Sequence, residues 1–229
     1  MPKTEHLESR CRARTNMGIN RKKNDPVLRE YARLASQYDS RWSSYVRLSV
    51  DNTLARLPIR EGQRVLDIGC GTGQLLADLH DRTPSAYSLG VDFSCEMLAV
   101  ARTRLPNGFP LVASRAEQLP FADASFDWIV SSSMFHYLRE PKVALAEFRR
   151  LLKPNGGLLI TDWCDDYLSC KFLDVFLRVF SRSHNRTYTL QQLGQLLRES
   201  SFEPLAIDNY RVGGVWGLMT ARAEKRATR

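Results

Sequence analysis

Short runs of adjacent apolar residues alternate along the chain with longer stretches in which apolar residues recur every three or four positions. The first pattern belongs to strands buried on both faces, the second to helices laid against them. Val65, Leu66 and Ile68 mark a first strand, and Tyr87-Ser88-Leu89-Gly90-Val91, ending in Asp92, a second. Residues 109–113, 128–130 and 158–163 mark the third, fourth and fifth. Helical spacing begins at Gln74, at Ser94 (with Met97, Leu98, Val100 and Ala101 in phase, Ser94 as N-cap) and at Pro141. Thr189 heads a further helix, and residues 202–207 and 215–220 read as two closing strands. Ahead of the first strand, residues 26–37 and 42–57 carry two amphipathic helices, with Val46, Val50, Leu54 and Leu57 in phase in the second. Strands alternating with helices predict an α/β domain built on a mostly parallel sheet.

One stretch breaks the rhythm. Between the fifth strand and Thr189, Leu168, Phe172, Leu173, Phe176, Leu177, Val179 and Phe180 describe an extra helix with a wide apolar side. Residues 163–188 therefore read as an insertion.

Composition narrows the class. A chain of 229 residues with 43% hydrophobic content suffices for one sizeable core. No apolar run approaches the ~18 residues of a membrane helix, and the Arg-rich start lacks the apolar segment of a secretory signal. The 5 cysteines are odd in number and without framework spacing, which predicts a reducing, cytoplasmic setting. Cys164, Cys170, His184 and the nearby aspartates fit no compact zinc pattern, so no metal is expected. The net charge of +8 sits at the ends. In residues 1–25, Lys3, Arg10, Arg12, Arg14, Arg21, Lys22 and Lys23 face Glu5, Glu8 and Asp25, a net of +4. In residues 222–229, Arg222, Lys225, Arg226 and Arg229 face Glu224, a net of +3, which leaves +1 for the remainder. The expected organisation is a basic, disordered tail over 1–25, a single domain over 26–221 and a second basic tail over 222–229. A near-neutral folded part argues against a nucleic-acid partner.

The chemistry starts at Gly69-Cys70-Gly71-Thr72-Gly73, a tight turn between the first strand and its helix. Glycines there let backbone approach a ligand. The dinucleotide-binding form of this turn needs a third small residue where Gln74 stands, and Asp67 at the mouth would repel a pyrophosphate and attract a cation. Asp92, about 20 residues after the turn, stands where α/β folds place a carboxylate on ribose hydroxyls. The run from Asp67 to Gly73 resembles motif I of the class I S-adenosylmethionine-dependent methyltransferases. The run Ala116-Glu117-Gln118-Leu119-Pro120-Phe121, continued by Asp123-Ala124-Ser125-Phe126-Asp127, resembles the pattern of the ubiquinone/menaquinone-type small-molecule methyltransferases. The turn Lys153-Pro154-Asn155-Gly156-Gly157 into the fifth strand also resembles that family.

The resemblance implies a three-layer, Rossmann-like fold with seven strands in the order 3-2-1-4-5-7-6, the last antiparallel, under N-terminal lid helices. It implies S-adenosyl-L-methionine as cofactor, held by Asp67, Gly69, Gly71, Thr72, Asp92, Phe93, Ala116, Glu117 and Ser132. Tyr31, Tyr38, Arg41 and Tyr45 are lid candidates, with Tyr38, Trp163 and Tyr188 expected in the substrate pocket. Candidate bases are His136, Tyr167 and His184, with Asp162 and Tyr188 as further options. The expected reaction is methyl transfer to an O, N, C or S atom of a small molecule. An Asn/Asp-Pro-Pro-Tyr/Phe tetrad of many nucleic-acid and protein N-methyltransferases is missing. An enzyme modifying RNA or protein through the basic tails, and a non-catalytic binder of the cofactor acting through a partner, are the alternatives.

Overall fold

The structure is a computed structural model and describes residues 26–35, 37–167, 186–213 and 216–226. Two helices come first, α1 (Pro26–Leu34) and α2 (Tyr38–Arg56), the latter kinked at Trp42. Then follow β1 (Arg64–Ile68), α3 (Gln74–Arg82), β2 (Tyr87–Asp92), α4 (Cys95–Arg104), β3 (Leu111–Ala113) and β4 (Phe126–Ser132). A one-turn 3₁₀ helix at Phe135–Tyr137 leads to α5 (Pro141–Leu151) and β5 (Leu152–Trp163). The chain closes with α6 (Leu190–Glu199), β6 (Phe202–Val212) and β7 (Trp216–Lys225). The strands form one seven-stranded sheet in the order β3-β2-β1-β4-β5-β7-β6. The first five run parallel, while β7 lies antiparallel between β5 and β6.

The alternation of each strand sorts its side chains into two layers. Val65, Trp128, Val130 and Leu159 point to one face and pack with Val50, Leu54 and Leu57 of α2 and Leu75 and Leu79 of α3. Leu66, Ile68, Ile129, Leu158 and Ile160 point to the other, where Leu145 and Phe148 of α5 and Leu193 and Leu197 of α6 cover them. Capping fixes where two helices start. Ser94 accepts a hydrogen bond from Met97 N–H, and Thr189 and Gln192 form a reciprocal capping box.

The structure differs from the sequence reading at three places. The turn expected at residues 153–157 is the beginning of β5, because Phe126 already pairs with Leu152 and a bulge then shifts the register to Trp128–Gly157. The last two strands are each longer than their apolar cores, since an antiparallel pair continues through polar residues. Strand β7 takes in Arg222, Ala223, Glu224 and Lys225, so the domain runs past 221. Helix α2 begins four residues earlier than its apolar spacing. The helix expected over residues 168–180, and Cys170 and His184, lie outside the described residues, as do residues 1–25. Among the described residues, no helix is long and apolar enough to cross a membrane.

Candidate active site

The parallel strands β1, β2 and β4 end on the same side, and a cleft opens there under α1 and α2. Its floor is the turn after β1. Gly69, Gly71 and Gly73 all take positive φ. At Gly69, with φ +73°, a Cβ would also overlap the Met134 side chain, so only glycine meets both demands. Arg104 of α4 clamps this turn, donating to the Thr72 carbonyl at 2.7 Å and to Thr72 Oγ1 at 2.9 Å.

Two acids face the cleft from the strand ends. Asp92 accepts from Gly71 N–H at 2.9 Å and from Ser94 N–H at 2.8 Å, which ties the second strand to the glycine turn. Burial pushes its carboxyl up to about 6, against the pull of these amide donors. Asp67 is 2% exposed, and burial together with the neighbouring Asp92 charge pushes it up to about 8. No cation among the described residues offsets either carboxylate. A cationic ligand with hydroxyls would satisfy both at once, and the open glycine turn leaves room for it.

Phe93, Ser114, Arg115, Ala116 and Glu117 form one flank of the cleft. Arg115 pairs with Glu117 at 3.6 Å and lies 5.6 Å over the Phe93 ring. The opposite wall comes from α1, α2 and the end of β4: Tyr31, Tyr38, Tyr45, Ser49, Ser132, Ser133 and Tyr137. Tyr31 donates to the Tyr137 hydroxyl at 2.7 Å, clasping α1 to the 3₁₀ turn. Thus Asp67, Gly69, Gly71, Thr72, Asp92, Phe93, Ala116, Glu117, Ser132 and Tyr38 all line one cleft.

The residues considered as bases lie elsewhere. His136 is buried, its Nδ1 2.6 Å from Asp162 Oδ1, while its backbone N–H donates to Asp162 Oδ2 at 2.9 Å. With the carboxylate accepting, Nδ1 carries the proton. The ring stacks on Trp163 at 4.9 Å, behind the cleft wall. Trp163 in turn donates from Nε1 to the Tyr45 hydroxyl at 2.6 Å. Tyr167 packs over Gly217 beneath Arg211, and Tyr188 packs on Phe135 in the core. None of His136, Asp162, Trp163, Tyr167 or Tyr188 is among the cleft-lining residues. His184 lies outside the described residues.

Sequence reasoning passed over Arg104, Ser49, Ser133 and Met134. Arg104 is a cation in the last turn of α4, and only the fold brings it to the glycine turn. Ser133 stood in the serine run after β4, but its φ of +55° is a tertiary fact.

Residues 66–160 match the family model described as a methyltransferase domain. The chain is 33% identical over 137 residues to a malonyl-[acyl-carrier protein] O-methyltransferase of Marinomonas sp., covering 59% of this chain and 50% of that protein. It is 39% identical over 115 residues to a ubiquinone/menaquinone biosynthesis C-methyltransferase of Bordetella avium, covering 48% and 45%. The chain thus matches about half the length of these curated relatives. A solved complex of a Haloferax volcanii methyltransferase activator with a methyltransferase has the same fold. Its TM-score is 0.78 at 19% identity, over 86% of this chain and 98% of that one.

Proposed function

We propose that this chain is a class I S-adenosylmethionine-dependent methyltransferase of the ubiquinone/menaquinone type, and that it transfers a methyl group from S-adenosyl-L-methionine to a nucleophile on a small molecule; the match of residues 66–160 to a methyltransferase domain supports it. The observation that carries this reading is the pair of buried carboxylates, Asp67 and Asp92, on either side of a glycine turn in one cleft. Asp67 would neutralise the ammonium of the donor's methionine part, and Asp92 would accept from the ribose hydroxyls. Gly69, Gly71 and Thr72 would let backbone approach, and Phe93, Ala116 and Glu117 would border the adenine. Ser132 would stand where donor and acceptor meet, and Tyr38 would border the acceptor. The sulfonium supplies an activated methyl, so the protein's work is alignment and exclusion of water. His136, held against Asp162 behind the wall, acts in this reading on the position of Trp163 and not on the acceptor.

Asp92→Ala tests the assignment. Removing the acceptor of the ribose hydroxyls should weaken donor binding at least about a hundredfold, since hydrogen bonds to a charged group are worth about 1.5–3 kcal/mol each. Calorimetric titration of S-adenosylmethionine measures it, and near-normal affinity in the variant would refute the reading. The product is S-adenosylhomocysteine, detectable by mass spectrometry together with the methylated acceptor.

A further inference from the structure

The acceptor side of the cleft carries a row of hydroxyls of which the reading above uses only Ser132. Tyr45, Ser49 and Thr53 recur every four residues on α2 and face Ser132 and Ser133 at the end of β4. The contacts are Tyr45 Oη to Ser133 Oγ at 2.7 Å, Ser133 Oγ to Ser49 Oγ at 3.1 Å, Ser49 Oγ to Ser132 Oγ at 3.2 Å, and Ser132 Oγ to Thr53 Oγ1 at 3.4 Å. Both ends are fixed. Trp163 Nε1–H, which cannot accept, donates to the Tyr45 hydroxyl at 2.6 Å, and Thr53 Oγ1–H donates to the Ser49 carbonyl at 2.7 Å.

With the Thr53 proton on a carbonyl, only one arrangement of protons makes all four contacts hydrogen bonds. Thr53 has spent its proton on a carbonyl, so Ser132 must donate to Thr53. Ser49 must then donate to Ser132, Ser133 to Ser49, and Tyr45 to Ser133. Four links consume four protons. Each hydroxyl of Tyr45, Ser133, Ser49 and Ser132 therefore keeps only lone pairs for a ligand, and all four line the cleft. The row is no proton wire either, because it ends on a main-chain carbonyl. Burial pushes the Tyr45 and Tyr31 phenols above their ordinary range, so neither serves as a base at neutral pH. Ser133 keeps a left-handed backbone, with φ +55°, to take its place in the row.

The geometry points to an acceptor whose nucleophile is an amine nitrogen, its N–H bonds donated to the Tyr45–Ser133–Ser49–Ser132 row and its lone pair turned toward the methyl donor. This rests on the methyl-transfer reading above. A wall of lone pairs repels a carboxylate or phenolate and welcomes N–H. An alcohol would also fit the hydrogen bonding, but its oxygen must lose a proton as the bond forms, and the row has nowhere to send one. An aliphatic amine gives up its extra proton to water before it enters, and once neutral it needs no base in the step. Its lone pair forms the N–CH₃ bond while the S–CH₃ bond breaks and leaves its electron pair on sulfur. The sulfonium becomes a thioether, and the new ammonium sheds its proton to water on release. Tyr31, Tyr38 and Tyr137 border the same space, and aromatic rings there suit a developing cation.

The test uses the full chain. Calorimetry with S-adenosylmethionine comes first, since failure to bind removes the preceding reading and not only this one. Metabolite extract is then incubated with enzyme and donor carrying a carbon-13 methyl. The methyl's chemical shift in the product reports its new neighbour: N–CH₃ is expected, and O–CH₃, C–CH₃ or S–CH₃ on a donor-binding enzyme overturns the proposal alone. Ser49→Ala gives an independent readout, because it frees the Ser133 proton and puts one donor in the wall. The enzyme loaded with S-adenosylhomocysteine is titrated with phenethylamine and with hydrocinnamate. The wild type should prefer the amine, and the variant should lose about tenfold of that preference, one hydrogen bond's worth. An unchanged ratio, or a wild-type preference for the acid, overturns it.

Discussion

Asp67 is an acid held where water cannot solvate it, and this sets a pH dependence. Its folded-state value of about 8 lies above the ~3.9 of an unfolded aspartate. The folded protein therefore binds the extra proton between those limits. The stability this group contributes is full below about pH 4 and is lost as pH rises toward 8. A cationic donor reverses the trend, because it needs the ionised form. Its affinity should climb between about pH 6 and 8, as Asp92 and then Asp67 give up their protons. Calorimetry across that range checks this, and Asp67→Asn should bind more weakly with a flatter profile. Both acids are readable in the sequence because they stand at fixed short distances from a glycine turn. The Tyr45–Ser133 bond is not, since it joins residues 88 apart and depends on where α2 lies on the sheet.

At the scale of elements, what chain chemistry decides locally is the most legible. Ser94 and Thr189 mark their helices because a side-chain oxygen near a free N–H acts within one turn. Replacing Thr189 with alanine breaks the capping box of α6 and should cost about 1 kcal/mol in urea unfolding, with an unchanged slope. Strand ends are less legible. The extra length of β7 through Lys225 and the bulge near the start of β5 come from a neighbouring strand, not from the residues themselves. Helix α2 shows the same limit in another form. Its apolar stripe announces the face that meets the sheet, but the Ser49 and Thr53 hydroxyls beside it carry no signal until β4 is set against them.

For the molecule as a whole, the seven-strand order follows from the alternation of strands and helices only with the help of the family resemblance. Periodicity predicts that β1 to β5 are parallel, but the entry of β7 between β5 and β6 is a long-range choice. The placement of the first two helices was only broadly foreseeable. They roof the cleft, and the Tyr31–Tyr137 hydrogen bond fastens α1 across it. Tyr31→Phe removes a bond worth about 1 kcal/mol. Donor dissociation followed by stopped-flow should then quicken about fivefold.

The insertion of β7 also has a consequence in time. During synthesis β1 to β5 emerge in order, and once β5 is made each of the first four has all its partners. One edge of β5 must stay bare until residues 216–225 have left the ribosome, because nothing made earlier belongs there. That edge carries Leu158, Leu159 and Ile160, all fully buried once the sheet is complete. A nascent chain paused after α6 thus displays an apolar strand with open hydrogen bonds, the kind of edge that recruits chaperones or aggregates. The final hairpin is the step that ends this exposure.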